Sequence, residues 1–420
     1  MKKESLTEFF EKHLNYMDLI NNEKELVNSV EDENNTCLKN AISLSIVVMC
    51  RNEKRCIERC LLSIKGQLAI EDELLIIDTG STDGTLSIIK TTTPQAKIFE
   101  EEWKNDFSNI RNIAIDKAQK DWIFFIDADE FLEENALRNL TQLLRVINVD
   151  KHPHIAVCPI IVNSNSHVVN GVKRIIRKDS DLRFYGYVHE ELRYDRTLLG
   201  SDVESVSFDN VILFHDGYEQ SIIEEKNKVD RNVFLLKKMI FLEPTHPRWK
   251  YFLSRDGSGC LDMTEYEVLL KETIKLCEKE KQKHYYDVRA ISDLINFYIM
   301  KDEIELAEKY LVQLENTLPE LSDVFYYKEL LKYRRIKEET FVLLQEVCEY
   351  KKGRQEIEYG GIHANYFHID FLIAKLFFEV GDYDATFNIL KKLRECKFGI
   401  DDKVYRELLK KIKEYLKTRD

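Results

Sequence analysis

A chain of 420 residues is long enough for two or three domains, and its 44% hydrophobic content supports well-formed cores. Its 62 Lys and Arg against 75 Asp and Glu give a formal net charge of -13, which argues against a sequence-independent grip on nucleic acid or anionic lipid. No stretch approaches the roughly 20 apolar residues that span a bilayer, and the start, MKKESLTEFFEKH, has no apolar core behind its lysines.

The chain therefore reads as a cytoplasmic protein without a transmembrane segment. Its 9 cysteines are scattered with no C-x-x-C pair, so a reducing compartment would keep them as free thiols. Cys56 and Cys60, four residues apart, mark one helix face rather than a metal site.

Residues 1–42 are polar with apolar positions at helical spacing (Leu6, Phe9, Phe10, Leu14, Met17), which predicts a helical N-terminal extension ending in the linker EDENNTCLKN. From Leu44 the character changes. LSIVVMC reads as a strand, RCIERCLLSI as a helix, DELLIIDTG as a strand and TDGTLSIIKTT as a helix. AKIFEEEW then gives a short strand, DFSNIRNIAIDKAQ a helix and DWIFFIDAD another strand. Alternation at this spacing predicts right-handed βαβ units and a Rossmann-like, mostly parallel sheet within an α/β domain over 43–243. Residues 150–220 are mixed, with short strand-like runs such as HIAVCPIIV and NVILFH.

Residues 244–420 read as an all-α domain. Two segments, LINFYIMKDEIELAEKYLVQL from Leu294 and LIAKLFFEVGDYDATFNILKKL from Leu372, share an apolar helix, a short Asp-containing turn, an Ala and a second helix. This resembles tetratricopeptide (TPR) hairpins, which stack into solenoids and bind peptide or protein; a plain helical domain fits the irregular period equally well. FLSRDGSGCLD, with two glycines and an Asp, interrupts the pattern ahead of them.

In an open parallel sheet, ligands gather at the carboxyl ends of the strands where strand order reverses. Three predicted strand ends carry unusual chemistry. CRNE follows the first and includes Arg51, Asn52 and Glu53. DTGSTDGT follows the second, placing Asp78, Ser81 and Asp83 in a Gly-bearing turn; Asp83 or Ser81 also suits a helix cap, and Asp78 suits a ribose or base edge. It is neither a Walker loop nor G-x-G-x-x-G.

DADE follows the last strand with Asp127, Ala128, Asp129 and Glu130. Burying carboxylates without partners costs several kcal/mol each, by order of magnitude, so Asp127 and Asp129 call for a cation, a basic residue or donors nearby. Mg²⁺ or Mn²⁺ shared with a diphosphate meets that need economically, while Glu130 reads as the start of a helix.

SIVVMCRNE, DTGSTDGT, WKNDFSNIRN and DWIFFIDADE, in this order and spacing, resemble the inverting nucleotide-sugar glycosyltransferases of family 2, which have the GT-A fold. The resemblance implies a UDP-sugar donor. Asp78 and Asp83, with the Arg51–Glu53 loop, would hold the uridine, and Arg111 would sit near the nucleotide. Asp127 would approach the ribose and Asp129 would bind the metal. FYGYVHEEL, with Gly186 and His189, offers Glu190 or Glu191 as general base, and ILFHDGY offers His215 as a second metal ligand.

Over most of the chain the motifs look like the peptide S-glycosyltransferases that modify sublancin-like and enterocin-like bacteriocin precursors. That implies UDP-glucose or a related UDP-sugar as donor, and Cys, with Ser in some members, of a precursor peptide as acceptor. The helical N-terminus and the resemblance together point to a homodimer. A cell-surface glycan or lipid-linked acceptor, and a non-catalytic helical-repeat scaffold, are the competing readings.

Overall fold

The computed structural model describes residues 42–149, 154–163, 168–194, 203–215, 222–279, 285–352, 365–396, 406–408 and 410–412. The expected helical N-terminal extension lies outside them, apart from Ile42. Two compact units divide at His284 and Tyr285.

In the first unit, β1 (Leu44–Cys50), β2 (Glu73–Asp78), β3 (Lys97–Glu100) and β4 (Trp122–Asp127) run parallel in the order β3-β2-β1-β4. The chain steps outward from β1 to β3 and returns on β1's other side, so strand order reverses between β1 and β4. The central strands are apolar because they are covered on both faces. Trp122, Phe124 and Ile126 pack with Leu44, Ile46 and Val48 on one side. Ile123 and Phe125 pack with Val47, Leu75 and Ile77 on the other.

The first face is covered by α1 (Ile57–Lys65) and α4 (Ala136–Val149), and the second by α3 (Phe107–Lys117). The helix α2 (Thr85–Thr92) follows β2.

Beyond β4 the sheet becomes mixed. β8 (Ile175–Arg177) pairs antiparallel with β4 and with the start of β6 (Ala156–Asn163), whose later residues pair on the same edge with β7 (Val168–Val169). β11 (Ser205–His215) runs parallel to β6, and β5 (Glu130–Leu132) closes the order on β11. Glu130 therefore opens a strand rather than the expected helix. A separate hairpin of β9 (Arg183–Tyr185) and β10 (Glu191–Arg193) carries the GYVHE segment at its turn.

Three helices complete this unit: α5 (Ile222–Leu242), α6 (Pro247–Gly257) and α7 (Met263–Lys279). The boundary expected at 243/244 falls inside the unit, because Leu235, Leu236, Met239, Trp249, Leu253 and Leu269 form one core with Val188 of the hairpin turn. That burial ties α5, α6 and α7 to the α/β domain. FLSRDGSGCLD forms the end of α6 and its exit turn, where the carbonyl of Gly257 accepts from the N–H groups of Cys260 and Leu261.

The second unit contains α8 (Tyr285–Met300), α9 (Ile304–Thr317), α10 (Ser322–Lys352), α11 (Phe367–Glu379) and α12 (Tyr383–Glu395). The two segments singled out in the sequence are matching hairpins. Between α8 and α9 the N–H groups of Lys301, Asp302 and Glu303 donate to the carbonyls of Phe297, Ile299 and Tyr298. Between α11 and α12 those of Val380, Gly381 and Asp382 donate to Leu376, Phe378 and Phe377 in the same pattern. The central residue of each turn is left-handed, Asp302 at φ 60° and Gly381 at φ 88°. Among the described residues no helix is long and apolar enough to cross a membrane.

One glycine is fixed by both its backbone and its surroundings. Gly186 has φ 110°, and a Cβ there would lie 2.6 Å from the Trp249 ring. Gly186→Ala is expected to destabilise the first unit by about 1–3 kcal/mol through overpacking and φ strain. Urea denaturation checks this, and an unchanged midpoint contradicts it.

Candidate active site

The carboxyl ends of β1, β2 and β4 lie side by side, with Cys50 opposite Asp78 and Met49 opposite Asp127. The loops leaving β1 and β2 are stitched together. The Asn52 N–H donates to Ser81 Oγ (2.9 Å), the Thr82 N–H to Asn52 Oδ1 (2.8 Å) and the Lys54 N–H to Asp83 Oδ2 (3.1 Å). Asn52 adopts φ 57°, a conformation that asparagine tolerates better than most residues.

Asp78 proves to be an organiser of this loop. It is 1% exposed, and its Oδ2 accepts from the N–H groups of Gly80 and Ser81, both at 3.0 Å. Its Oδ1 accepts from Cys50 Sγ (3.5 Å). Asp83, one residue before the N-cap Gly84, accepts at Oδ1 from the Thr85 N–H (3.0 Å) and hydroxyl (2.5 Å) and so steadies the turn into α2. Arg51 and Asn52 are exposed and Glu53 is half-buried, its Oε2 3.1 Å from Cys56 Sγ.

Asp127 and Glu130 already have positive partners within the protein. Arg174 reaches Asp127 Oδ2 at 2.6 Å and Glu130 Oε1 at 3.1 Å, and Arg111 reaches Asp127 Oδ1 at 3.4 Å. Of the partners the sequence left open for Asp127, a basic residue is therefore the one found within the protein, rather than the bound ion that seemed most economical. Burial disfavours the charged form of Asp127, but Arg174 and Arg111 outweigh it and hold its carboxyl well below the usual range. Burial pushes Glu130 up to about 7, against the pull of Arg174. Its Oε2 also accepts the Asp127 N–H (2.9 Å), fixing the DADE turn from beneath.

Asp129 faces His215 at the end of β11, with His215 Nε2 3.3 Å from Asp129 Oδ2. On the other side, His215 Nδ1 lies 3.0 Å from Asn163 Oδ1, an acceptor that favours a proton on Nδ1. The two side chains singled out as metal ligands thus meet. Among the described residues no three His, Cys, Asp or Glu side chains converge as a metal cluster. One carboxylate and one imidazole nevertheless fit Mg²⁺ or Mn²⁺, whose remaining positions go to phosphate or water. Ala128 is buried between these acids, at 4% exposure.

Arg111, which the resemblance sets near the nucleotide, lies between Asp127 and Glu190. It is buried, and its Nε donates to Glu190 Oε1 at 2.5 Å. The rest of the motif docks the hairpin onto α3. Asp106 caps the helix by accepting the Asn109 N–H (3.0 Å), and the Phe107 N–H donates to the Tyr187 carbonyl (3.1 Å). The Asn112 amide pairs with both backbone groups of Phe184 at 2.9 Å.

The two glutamates of VHEE occupy different surroundings. Glu191 is surrounded by basic side chains: Arg193 at 2.7 Å, His246 at 3.1 Å and Arg248 at 3.7 Å. Burial raises its carboxyl, but His246, Arg248 and Arg193 together bring it well below the usual range. Arg111 is the one side-chain partner of Glu190 among the described residues. Burial raises that carboxyl and Arg111 lowers it more, leaving it below its ordinary value.

Sequence reading missed Arg174, Arg193, His246 and Arg248. Arg174 sits in VKRIIRK, where nothing in the spacing separates it from its basic neighbours. A cavity of about 370 Å³ opens beside the hairpin, lined by Asn109 and Asn112 of α3, Tyr185, Gly186 and Tyr187 of the hairpin, and Met239 of α5. It shares Gly186 and Tyr187 with the turn that leads to Glu190, and none of Asp78, Asp83, Asp127 or Asp129 lines it.

Residues 45–204 match the family model described as glycosyl transferase family 2. The chain is 31% identical over 293 residues to the SPbeta prophage-derived glycosyltransferase SunS of Bacillus subtilis strain 168, an alignment covering 69% of this chain and 66% of the relative. A TPR repeat-containing protein of Synechococcus elongatus is 28% identical over 250 residues, covering 58% of this chain and 59% of that one. Among solved structures, S. aureus TarS 1-349 in complex with UDP-GlcNAc aligns with a TM-score of 0.39 and 14% identity, over 66% of this chain and 91% of that one. The chain thus spans just under two thirds of the length of SunS.

A depressed folded-state carboxyl contributes stability above its unfolded value, about 4.3 for Glu, and that contribution is lost as pH falls. The stability gap between wild type and Glu191→Gln is therefore expected to be widest at neutral pH and to shrink below about pH 4.5. Urea midpoints across this range check it. A gap independent of pH contradicts the ion network drawn around Glu191.

Proposed function

We propose that this chain, whose residues 45–204 match the glycosyl transferase family 2 model, transfers a hexose from a UDP-sugar to a cysteine or serine of a bacteriocin precursor peptide, with inversion at the anomeric carbon. UDP-glucose is the donor that the resemblance favours. The observation carrying this reading is the convergence of the β1, β2 and β4 loop ends, with Glu190 joined to Asp127 through one arginine.

In this reading the paired Arg51–Glu53 and Asp78–Asp83 loops receive the uridine, with the exposed Arg51 and Asn52 as direct contacts. The buried Asp78 acts by shaping the turn. Asp127 lies toward the ribose with one third of its side chain exposed. Asp129 and His215 would hold the divalent ion. When bound, such an ion offsets the negative charge that the departing UDP accumulates.

Glu190 is the general base of this proposal. Glu191 is engaged by Arg193, His246 and Arg248, whereas Glu190 has one guanidinium on one oxygen. The acceptor sulfur or oxygen forms the new bond to the anomeric carbon from the face opposite the diphosphate. The bond from that carbon to the diphosphate oxygen breaks, UDP leaves with the electron pair, and Glu190 takes the acceptor proton. Its depressed basicity suits a thiol, which is already a few per cent ionised near neutral pH, better than a hydroxyl. The cavity beside Gly186 and Tyr187 offers a place for acceptor residues flanking the reacting side chain.

The test is intact-mass analysis after incubating the protein with a UDP-hexose, Mn²⁺ and loop peptides that contain either Cys or Ser. A hexose increment is expected. UDP release without peptide gain would shift the acceptor to a glycan or lipid-linked sugar, and no turnover with intact peptide binding would favour the scaffold reading. Glu190→Gln is expected to lower transfer by roughly 10²–10⁴-fold, more for Ser than for Cys. Equal losses on the two acceptors would contradict the assigned role.

A further inference from the structure

The turn that carries Glu190 is gripped by one face of α6. Arg248, Phe252 and Asp256 lie four residues apart, so they line a single face of the helix. Arg248 donates from Nε (2.9 Å) and Nη2 (2.6 Å) to the carbonyl of His189, and Nη2 also lies 3.3 Å from the carbonyl of Glu190. Phe252 stacks on the His189 ring with centroids 4.3 Å apart and planes 17° apart. The Arg248 guanidinium lies 4.8 Å from the centroid of the same Phe252 ring. Asp256 Oδ2 is 2.6 Å from His189 Nε2, and Asn232 of α5 donates to that same oxygen at 2.9 Å.

This concentration of contacts falls on a residue in a costly conformation. His189 has φ 50°, in the left-handed region, and such strain persists only where the surroundings over-determine it. A planar guanidinium fork fixes a carbonyl in direction as well as distance, which a lysine cannot do. Burial raises the Asp256 carboxyl, but His189 and Arg255 bring it well below the usual range, so it stays ionised against His189. The α6 face therefore holds both peptide carbonyls that bracket the Glu190 backbone, and it does so without touching the Glu190 carboxylate.

We propose that Arg248, Phe252 and Asp256 are positioning residues for the base, holding the His189–Glu190 backbone so that the Glu190 carboxylate stays on Arg111 and points at the acceptor. This inference rests on the assignment of Glu190 as the base. A displacement of about 1 Å at a reacting group can lower turnover by roughly 10²-fold, which sets the scale of the effect.

The experiment is a double-mutant cycle in the full chain between Arg248→Lys and Glu190→Gln, read as kcat and KM for peptide and UDP-hexose, with UDP affinity and melting temperature measured alongside. Arg248→Lys keeps the charge and loses the fork. It is expected to lower kcat by roughly 10–100-fold, with UDP affinity and donor KM within about twofold of wild type. In the Glu190→Gln background the same substitution is expected to have little further effect, because it acts through Glu190. Full, multiplicative losses in the double variant, or a loss confined to UDP affinity, overturn the proposal. If Glu190→Gln alone leaves kcat unchanged, the base assignment itself fails, which is a separate outcome. Should Arg248→Lys not fold, Asp256→Asn enters the same cycle with the same criteria.

Discussion

Everything at the candidate site hangs on the Arg111 guanidinium, held between Glu190 and Asp127 with 9% of its side chain exposed. Arg174 extends the same chain from Asp127 to Glu130, so charges alternate across α3, β4, β5 and the stretch leading into β8. Taking these groups from water is unfavourable unless each finds an opposite charge at close range. The alternation satisfies that condition but leaves one more carboxylate than guanidinium. Burial, with Asp127 and Asp129 close by, raises the Glu130 carboxyl above its usual range against the pull of Arg174. Arginine is the residue suited to such a position, because it stays charged and its fork reaches two carboxylates at once.

The chain of charges also explains how distant segments come to share one site. The motif on α3 supplies Arg111 and, through Asn112 and Phe107, binds the hairpin whose turn carries Glu190. The hairpin is held from its other side by Trp249 and by the polar face of α6. Glu190, the proposed base, is therefore set by helices from both ends of the unit, while the loops proposed to receive the donor are set by the parallel sheet. Charge links the two halves: Asp127 at the end of β4 and Glu190 in the hairpin share one arginine.

Much of this was legible in the sequence. DWIFFI could be read as a strand buried on both faces because no polar residue interrupts it, and the loop motifs follow strand ends in an order that few families share. Asp129 and His215, which the resemblance named together as metal ligands, lie 3.3 Å apart although 86 residues separate them. What the sequence hid were the partners. The acids of DADE invite a cation, and nothing marks Arg174 in VKRIIRK as the side chain that antiparallel pairing of β8 with β4 brings beneath them. Asp78 and Asp83 look like ligand contacts until the loop closes and their oxygens are used on its own N–H groups. Glu191 looks equivalent to Glu190 until Arg193 of its own strand and His246 and Arg248 at the start of α6 gather around it. In the second unit the converse holds: two hairpins of loose sequence similarity repeat the same three turn hydrogen bonds, because the left-handed turn constrains backbone more than side chains.

The proposed function puts the donor diphosphate at the end of β4, beside Asp129 and His215. Crystals grown with UDP and Mn²⁺ and measured at the manganese absorption edge test this directly. The account predicts one anomalous peak within about 2.0–2.3 Å of an Asp129 carboxylate oxygen and His215 Nε2, bridged to the diphosphate. A peak ligated by other side chains, or ordered UDP with no manganese beside it, would contradict it.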